Sequence, residues 1–323
     1  MKVWRKAAGT RPAPDSGDSL ITHWRVDMSA VPLLLIDGHN LLFRACFGTP
    51  AQIWSRDPHD KRDLTTEFMF FALLRKGINE ELPGWPEVVV VFDGQDGSAQ
   101  RKKADAGYKA NRPADDNALK PIRALPSAKA GLDLFAITWV EINDAEADDV
   151  IATLAASCPE RDVLIASADQ DYYQLLRDAS PGHGSVRVLN TARRSGCRLS
   201  GPAEVRARHG VTPAQFTDYR ALAGDASDNI PGVRGIGAKT AAALLDGGLT
   251  LEDLPASRRL AGRKGDAITS AWQQVLTWRD MMRVNNQVPV PAGTITGFAT
   301  TPLPRPAEVI EKLGLWRRVP SAG

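Results

Sequence analysis

Asn143-Asp144-Ala145-Glu146-Ala147-Asp148-Asp149-Val150-Ile151-Ala152-Thr153-Leu154 is followed by Asp162-Val163-Leu164-Ile165-Ala166-Ser167 and then by Ala168-Asp169-Gln170-Asp171. The first part reads as a helix that starts in acid and runs into apolar residues. The second reads as a buried strand over Val163–Ala166. The third sets two aspartates just past that strand's carboxyl end. Acids in a first helical turn also suit the helix dipole, so this stretch alone does not specify chemistry. Two other runs supply the context. Val31–Ile36 ends at Asp37-Gly38, and Val88–Phe92 ends at Asp93-Gly94. In an open parallel sheet the carboxyl ends of the strands line one crevice, where ligands bind. Like charges crowded there raise one another's pKa and weaken the fold. Divalent cations would neutralise them, and oxygen-only donors favour hard ions such as Mg2+ or Mn2+.

The remaining composition is that of a soluble globular chain. It has 323 residues, 43% hydrophobic and 24% charged, enough for one large or two modest domains. A net charge of +2 indicates no partner by itself, although a near-neutral total can conceal an acidic site ringed by basic patches. Cys46, Cys158 and Cys197 form neither a zinc spacing nor a redox pair, which suits a reducing cytoplasm. No apolar run reaches membrane-spanning length, so no membrane partner is expected. Residues 1–30 read as a flexible extension without the apolar core of a secretory signal, and Met28 is an alternative translation start.

Helical and strand patterns alternate along the chain. The expected class is α/β, with a mostly parallel central sheet flanked by helices. Leu41–Arg44 begins a helical or irregular segment. Asp63–Ile78 reads as an amphipathic helix with Phe68, Phe71, Leu74 and Ile78 on one face. A helix over Asp116–Leu134, a strand over Phe135–Val140, a short strand over Ser185–Leu189 and a basic turn over Thr191–Gly196 are also expected. Gln100–Pro113 is basic with one aromatic, Tyr108. Such runs are commonly solvated helix faces. Phosphate contact is the alternative, with Tyr108 free to stack on a base. Past residue 200 the chain reads as helical, with Ser200 capping a helix that contains Glu204 and Thr212-Pro213 opening the next.

A second signal lies in Gly224-Asp225-Ala226-Ser227-Asp228-Asn229-Ile230-Pro231-Gly232-Val233-Arg234-Gly235-Ile236-Gly237-Ala238-Lys239-Thr240. Gly232, Gly235 and Gly237 make a tight hairpin into a helix start. Backbone amides there, with Lys239 and Thr240, suit a phosphate without reading sequence. A nucleotide-binding P-loop is excluded, because Ala238 stands where its lysine would be. A plain helix–turn–helix corner is the alternative, and Asp225 and Asp228 just upstream weigh against it.

These motifs together resemble the flap endonuclease, or 5′ nuclease, family, and most of all the 5′ nuclease domain at the amino end of bacterial DNA polymerase I. The matching segments are Leu35-Ile36-Asp37-Gly38, Val91-Phe92-Asp93-Gly94, Tyr108-Lys109-Ala110-Asn111-Arg112, Glu146–Ile151, Ala168–Asp171 and Gly224–Val233, in order from residue 31 to about 290. The resemblance implies one metal group of Asp37, Asp93, Glu146 and Asp148. It implies a second group drawn from Asp148, Asp149, Asp169, Asp171, Asp225 and Asp228. Helical spacing puts Glu146 and Asp149 on one face and turns Asp148 away, so spacing alone does not select Asp148. Arg44, Arg101, Lys109 and Arg112, with Tyr108 beside them, would act near the scissile phosphate. The region of about 95–130 would form a helical arch for a single-stranded 5′ end. The glycine hairpin would be a helix–hairpin–helix-like element gripping duplex DNA through K+, faced by carbonyls of Val233 and Ile236. Gln100 departs from the phenylalanine of close relatives, and the loop from Asp93 to Arg101 is one residue longer.

The expected organisation is an extension over 1–30, a metal-dependent nuclease core over 31–200, a helical duplex-binding region over 201–290 and a tail over 291–323. That tail leaves no room for a polymerase or proofreading domain, so a free-standing, monomeric, cytoplasmic and nucleoid-associated nuclease is expected. The implied reaction is phosphodiester hydrolysis at 5′ flaps, nicks and 5′ ends of duplex DNA, including RNA–DNA primer ends, with two or more Mg2+ or Mn2+ ions. Two rivals are a catalytically weak junction-binding protein of the same fold and an RNA-directed nuclease. The full set of acids weighs against the first, and the duplex-gripping hairpin against the second.

Overall fold

The computed structural model describes residues 31–81, 85–113, 115–193, 197–300 and 303–317. The expected extension with Met28 lies outside them, as do Arg194, Ser195 and Gly196 of the expected basic turn. Six strands build one sheet: β1 Leu33–Asp37, β2 Glu87–Phe92, β3 Thr138–Glu141, β4 Val163–Ala166, β5 Val186–Leu189 and β6 Leu199–Ser200. Their order is β3-β2-β1-β4-β5-β6, parallel throughout except for antiparallel β6. The chain builds one side through β2 and β3 and the other through β4 and β5. The order therefore reverses between β1 and β4, which opens a crevice at their carboxyl ends. Asp37 ends β1, Asp93 follows β2, and Ser167 to Asp171 follow β4, so sheet order alone brings these acids together.

The helices are α1 Gly38–Phe47, α2 Thr65–Glu81, α3 Ala99–Ala104, α4 Asp116–Arg123, α5 Leu125–Leu134 and α6 Ala147–Ser157 in the first part. They continue as α7 Pro202–His209, α8 Phe216–Ala223, α9 Ala238–Leu245, α10 Gly262–Ser270, α11 Trp272–Met282 and α12 Pro306–Lys312. β1 and β2 are covered on both faces, which is why they read as unbroken apolar runs. Leu33, Leu35, Val89 and Val91 face α6 and the later helices, through residues such as Ile151, Phe216, Ile268 and Trp278. Leu34, Ile36, Val88, Val90 and Phe92 face α1, α2, α5 and α12, through Leu42, Phe71, Leu132 and Val309. Among the described residues, no helix is long and apolar enough to cross a membrane.

Several boundaries differ from the expected ones. The helix expected over Asp116–Leu134 is two helices meeting at Ala124. Pro121 removes an N–H inside α4, and Pro126 opens α5. β3 begins at Thr138 because Phe135–Ile137 still satisfy the end of α5, with Ile137 N–H donated to the Leu132 carbonyl. α2 starts at Thr65, since Asp63 accepts the Thr65 N–H; the Ile78 side chain lies outside the described ones. Ser200 does not cap α7. It is buried in β6, and Gly201 holds the cap position, its N–H donated to Glu204 at 2.7 Å. The expected tail is not free either. Glu87 accepts N–H groups of Thr296 and Gly297, and Val309 and Ile310 of α12 are fully buried.

Candidate metal centre

Each acid of the crevice is placed by an element end. Asp37 caps α1, accepting the Asn40 N–H at 2.9 Å, and its other oxygen accepts the hydroxyls of Ser167 at 3.0 Å and Tyr172 at 3.2 Å. Asp93 accepts the Ala147 N–H at 2.7 Å, which ties the end of β2 to the start of α6. Its own N–H is donated to His39 Nδ1. Asp169 accepts the Asp171 N–H at the start of a short 3-10 helix over Asp171–Leu175. Asp225 accepts the Ser227 N–H and pairs with Arg220. Oxygens of Asp171, Asp225 and Asp228, all three buried, lie within 4.8 Å of one another.

Burial is the first cause that perturbs these groups. It pushes Asp37 up to about 7, helped by Asp93 and Asp169. It lifts Asp171 well above the usual carboxylate range, with Asp169 and Asp228 adding like charge. Asp148 is raised well above that range by burial, with Glu146 and Asp149 adding to the rise. Asp228 is raised in the same way, by burial and then by Asp169 and Glu146. Buried, oxygen-only, mutually repelling carboxylates with one tight triad fit a hard divalent cation.

The basic segment answers the acids from above. Burial alone would raise Glu146, but Lys109 and Arg101 more than offset it and hold it below its usual range. Lys109 Nζ lies 2.7 Å from Glu146 Oε1. Arg101 pairs with Glu146 and with both oxygens of Asp149, and Asp149 also accepts the Asn285 N–H. Arg112 reaches Asp228 at 3.4 Å. Bonds to backbone carbonyls clamp the segment down, one from a backbone N–H and two from asparagine side chains. Lys109 N–H is donated to the Asp228 carbonyl, Asn111 to the Ala226 carbonyl, and Asn229 back to the Gly107 carbonyl. Tyr108 is not free to stack on a base in this arrangement. Its ring is 2% exposed in the core, and its hydroxyl is donated to Glu146 at 3.0 Å. Arg44 stands outside this network, with its guanidinium on Thr191 past β5. Glu146 and Asp149 both pair with Arg101, and Asp148 lies in the same field, with Arg101 and Lys109 partly offsetting its rise.

The family models for the 5′-3′ exonuclease N-terminal resolvase-like domain and the 5′-3′ exonuclease C-terminal SAM fold match residues 32–210 and 211–302. The chain belongs to the 5′-3′ exonuclease family. It is 37% identical over 224 residues to the thermostable DNA polymerase I of Thermus thermophilus, covering 69% of this chain and 25% of the relative. It is 32% identical over 267 residues to DNA polymerase I of Mycobacterium leprae, covering 80% of this chain and 27% of the relative. The chain thus spans about a quarter of the length of these curated relatives. In fold it is similar to a zinc-bound T5 5′-exonuclease, with a TM-score of 0.59 and 22% identity over 87% of this chain and 98% of that one. It is also similar to human GEN1 in complex with Holliday junction DNA, with a TM-score of 0.54 and 12% identity over 88% of this chain and 69% of that one. At these identities the structural likeness speaks to the fold.

Within this member of the 5′-3′ exonuclease family the hairpin stands apart from the acids. Gly232 and Gly235 adopt φ of +68° and +83°, and Gly237 caps α9. The Val233 carbonyl accepts the Ile236 N–H, while both side chains are buried. Lys239 is exposed, and Thr240 accepts a hydrogen bond from Lys264 at 3.0 Å. Lys264 was not legible in the sequence because it lies 24 residues downstream of Thr240. His39, Ser167, Tyr172 and Arg220 were missed likewise, because no motif spacing links them to the carboxylates they orient. His39 and Ser167 do sit within two residues of Asp37 and Asp169, a signal that could have drawn attention to them.

Proposed function

We propose that this chain is a divalent-metal-dependent 5′ nuclease that hydrolyses phosphodiester bonds at 5′ flaps, nicks and 5′ ends of duplex DNA. The observation that carries the reading is the buried triad of Asp171, Asp225 and Asp228, in a crevice where Arg101 and Lys109 hold Asp149 and Glu146 and Arg112 reaches Asp228 itself. Asp37, Asp93, Glu146 and Asp148 would hold one ion. Asp148, Asp149, Asp169, Asp171, Asp225 and Asp228 would supply a second, with Mg2+ or Mn2+ as the matching hard ions. When bound, such ions supply an activated water and charge neutralisation at the leaving oxygen.

The chain's own residues supply the rest. Lys109 and Arg112, relieved of Glu146 and Asp228, would meet charge developing on the phosphate. Arg101 would anchor the segment through Asp149, and Arg44 would contact phosphate from the opposite side. Tyr108 positions Glu146 and does not touch a base. Gly232, Gly235, Gly237, Lys239 and Thr240 would hold duplex backbone, with K+ at the carbonyls of Val233 and Ile236. RNA–DNA primer ends are further substrates, and the enzyme works as a monomer on nucleoid DNA. Chelator-treated protein should leave a 5′-flapped duplex intact, and added Mn2+ should restore cleavage near the flap junction. Full cleavage in chelator would remove the metal-dependent reading.

A further inference from the structure

Several buried or half-buried arginines among the described residues have a carboxylate. Arg101 has Glu146 and Asp149, Arg161 has Glu87, Arg187 has Asp178, and Arg279 has Glu252. Arg193 and Arg208 differ. Among the described residues, neither forms an ion pair, and both donate to one neutral oxygen, the Tyr173 hydroxyl, at 3.2 and 3.1 Å. The hydroxyl is fixed in space. The Tyr173 ring is 1% exposed and packs edge-on to Phe216 with centroids 5.3 Å apart. Arg193 Nη1 is buried and has no hydrogen-bond partner. Arg208 is exposed and Arg193 half-buried, so an incoming group can reach both.

Arg44 sits on Thr191, two residues before Arg193. Two guanidiniums gathered on one phenol repel each other unless an anion joins them. Burial, and then the neighbouring Arg208, hold His209 below its usual range. Two guanidinium forks on one rigid point are the arrangement that suits phosphate oxygens. Tyr173 lies two residues beyond Asp171, so this cluster borders the acidic crevice without belonging to it.

We propose that Arg193 and Arg208, gathered on the Tyr173 hydroxyl, form a phosphate-binding site for the bound nucleic acid, separate from both the acidic crevice and the glycine hairpin. The ligand identity rests on the nuclease reading, but the site is tested by binding alone. The experiment measures affinity for a 5′-flapped duplex, with and without a 5′-terminal phosphate, in chelator and at several salt concentrations. The proteins are wild type, the double variant Arg193→Gln/Arg208→Gln, the double variant Arg193→Lys/Arg208→Lys, and Tyr173→Phe.

The glutamine pair should bind about tenfold more weakly. Its slope of log affinity against log salt should be shallower by about one for each phosphate lost. The lysine pair should keep most of the slope, and Tyr173→Phe should lose part of the affinity while melting close to wild type. Loss on both substrates places an internal phosphodiester in the site. Loss confined to the phosphorylated substrate places the 5′-terminal phosphate there. Unchanged affinity and slope in the glutamine pair overturn the site, even if the enzyme cleaves flaps. A lowered melting temperature with an unaltered salt slope assigns the arginines to folding and overturns it equally. If wild type binds but never cleaves, the nuclease reading fails while this site stands.

Discussion

Lys109 shows how a single side chain links charge balance to chemistry. Its Nζ neutralises Glu146, and its backbone N–H is tied to Asp228. A cation in the crevice would take over the first task and free the ammonium for the phosphate. Lys109→Ala should therefore lower the single-turnover rate on a flapped duplex by about 10²-fold or more, with little change in dissociation constant. A weakened dissociation constant at an unchanged rate would make Lys109 a plain phosphate clamp. Asp171 tests the metal directly. A ligand that binds only the folded state raises the melting temperature by mass action. Mn2+ should do so for chelator-treated wild type, and Asp171→Asn should reduce that rise while also removing most cleavage. An equal Mn2+-dependent rise in both proteins would take Asp171 out of the ligand set.

The hairpin and the C-terminal strap are separable elements with different duties. At Gly235, φ is +83°, and an added Cβ would meet nothing within 4 Å. The cost of a side chain there is backbone strain and intrusion on whatever approaches the turn, not collision with the protein. Gly235→Val should weaken binding to flapped and nicked duplexes and blur the cut position. A short single strand should be affected much less. Equal loss on both would assign the hairpin to folding. The strap of residues 294–300 hangs on Glu87. Burial would raise this carboxyl, but Thr296, Arg161 and Gly297 bond it and hold it below its ordinary value of 4.5. A depressed folded-state pKa stabilises the fold above the unfolded value, and that contribution is lost as the pH falls below it. Glu87→Gln should cost about 3 kcal/mol, because it strands Arg161 in the core. Thermal melts should show a smaller penalty at pH 4 than at pH 7. A penalty independent of pH would mean that the charge of Glu87 is immaterial.

The two family-matched regions share one core. Leu33, Leu35, Val89 and Val91 of the sheet are continuous with Phe216, Leu245, Ile268 and Trp278 of the later helices. Arg101 adds a polar bolt from α3 to the Met281 carbonyl at the end of α11. Calorimetry should accordingly show one unfolding transition with matching calorimetric and van't Hoff enthalpies. Two resolved transitions would show that the sheet and the later helices unfold independently.

The sequence by itself determined the sheet-bearing class, the acids at the strand ends, the glycine hairpin and, through six motifs in register, the family. These are local signals: apolar runs with an aspartate after them, and glycines where φ must be positive. The sequence left open how the charges are balanced. Nothing in the run Gln100–Pro113 says that Arg101 and Lys109 turn inward onto Glu146 and Asp149, or that Tyr108 is core. Those outcomes depend on α6 and the loop of residues 225–231 meeting the basic segment, contacts 37 to 122 residues apart. The break at Ala124 was legible in Pro121 and Pro126. The docking of α12 was not, because burial of Val309 and Ile310 exists only once α2 and α5 supply the opposing surface. The pairing of Arg193 with Arg208 on Tyr173 is of the same kind. Three side chains 20 and 35 residues apart meet because tertiary packing closes the distance, and only there does their shared positive field arise.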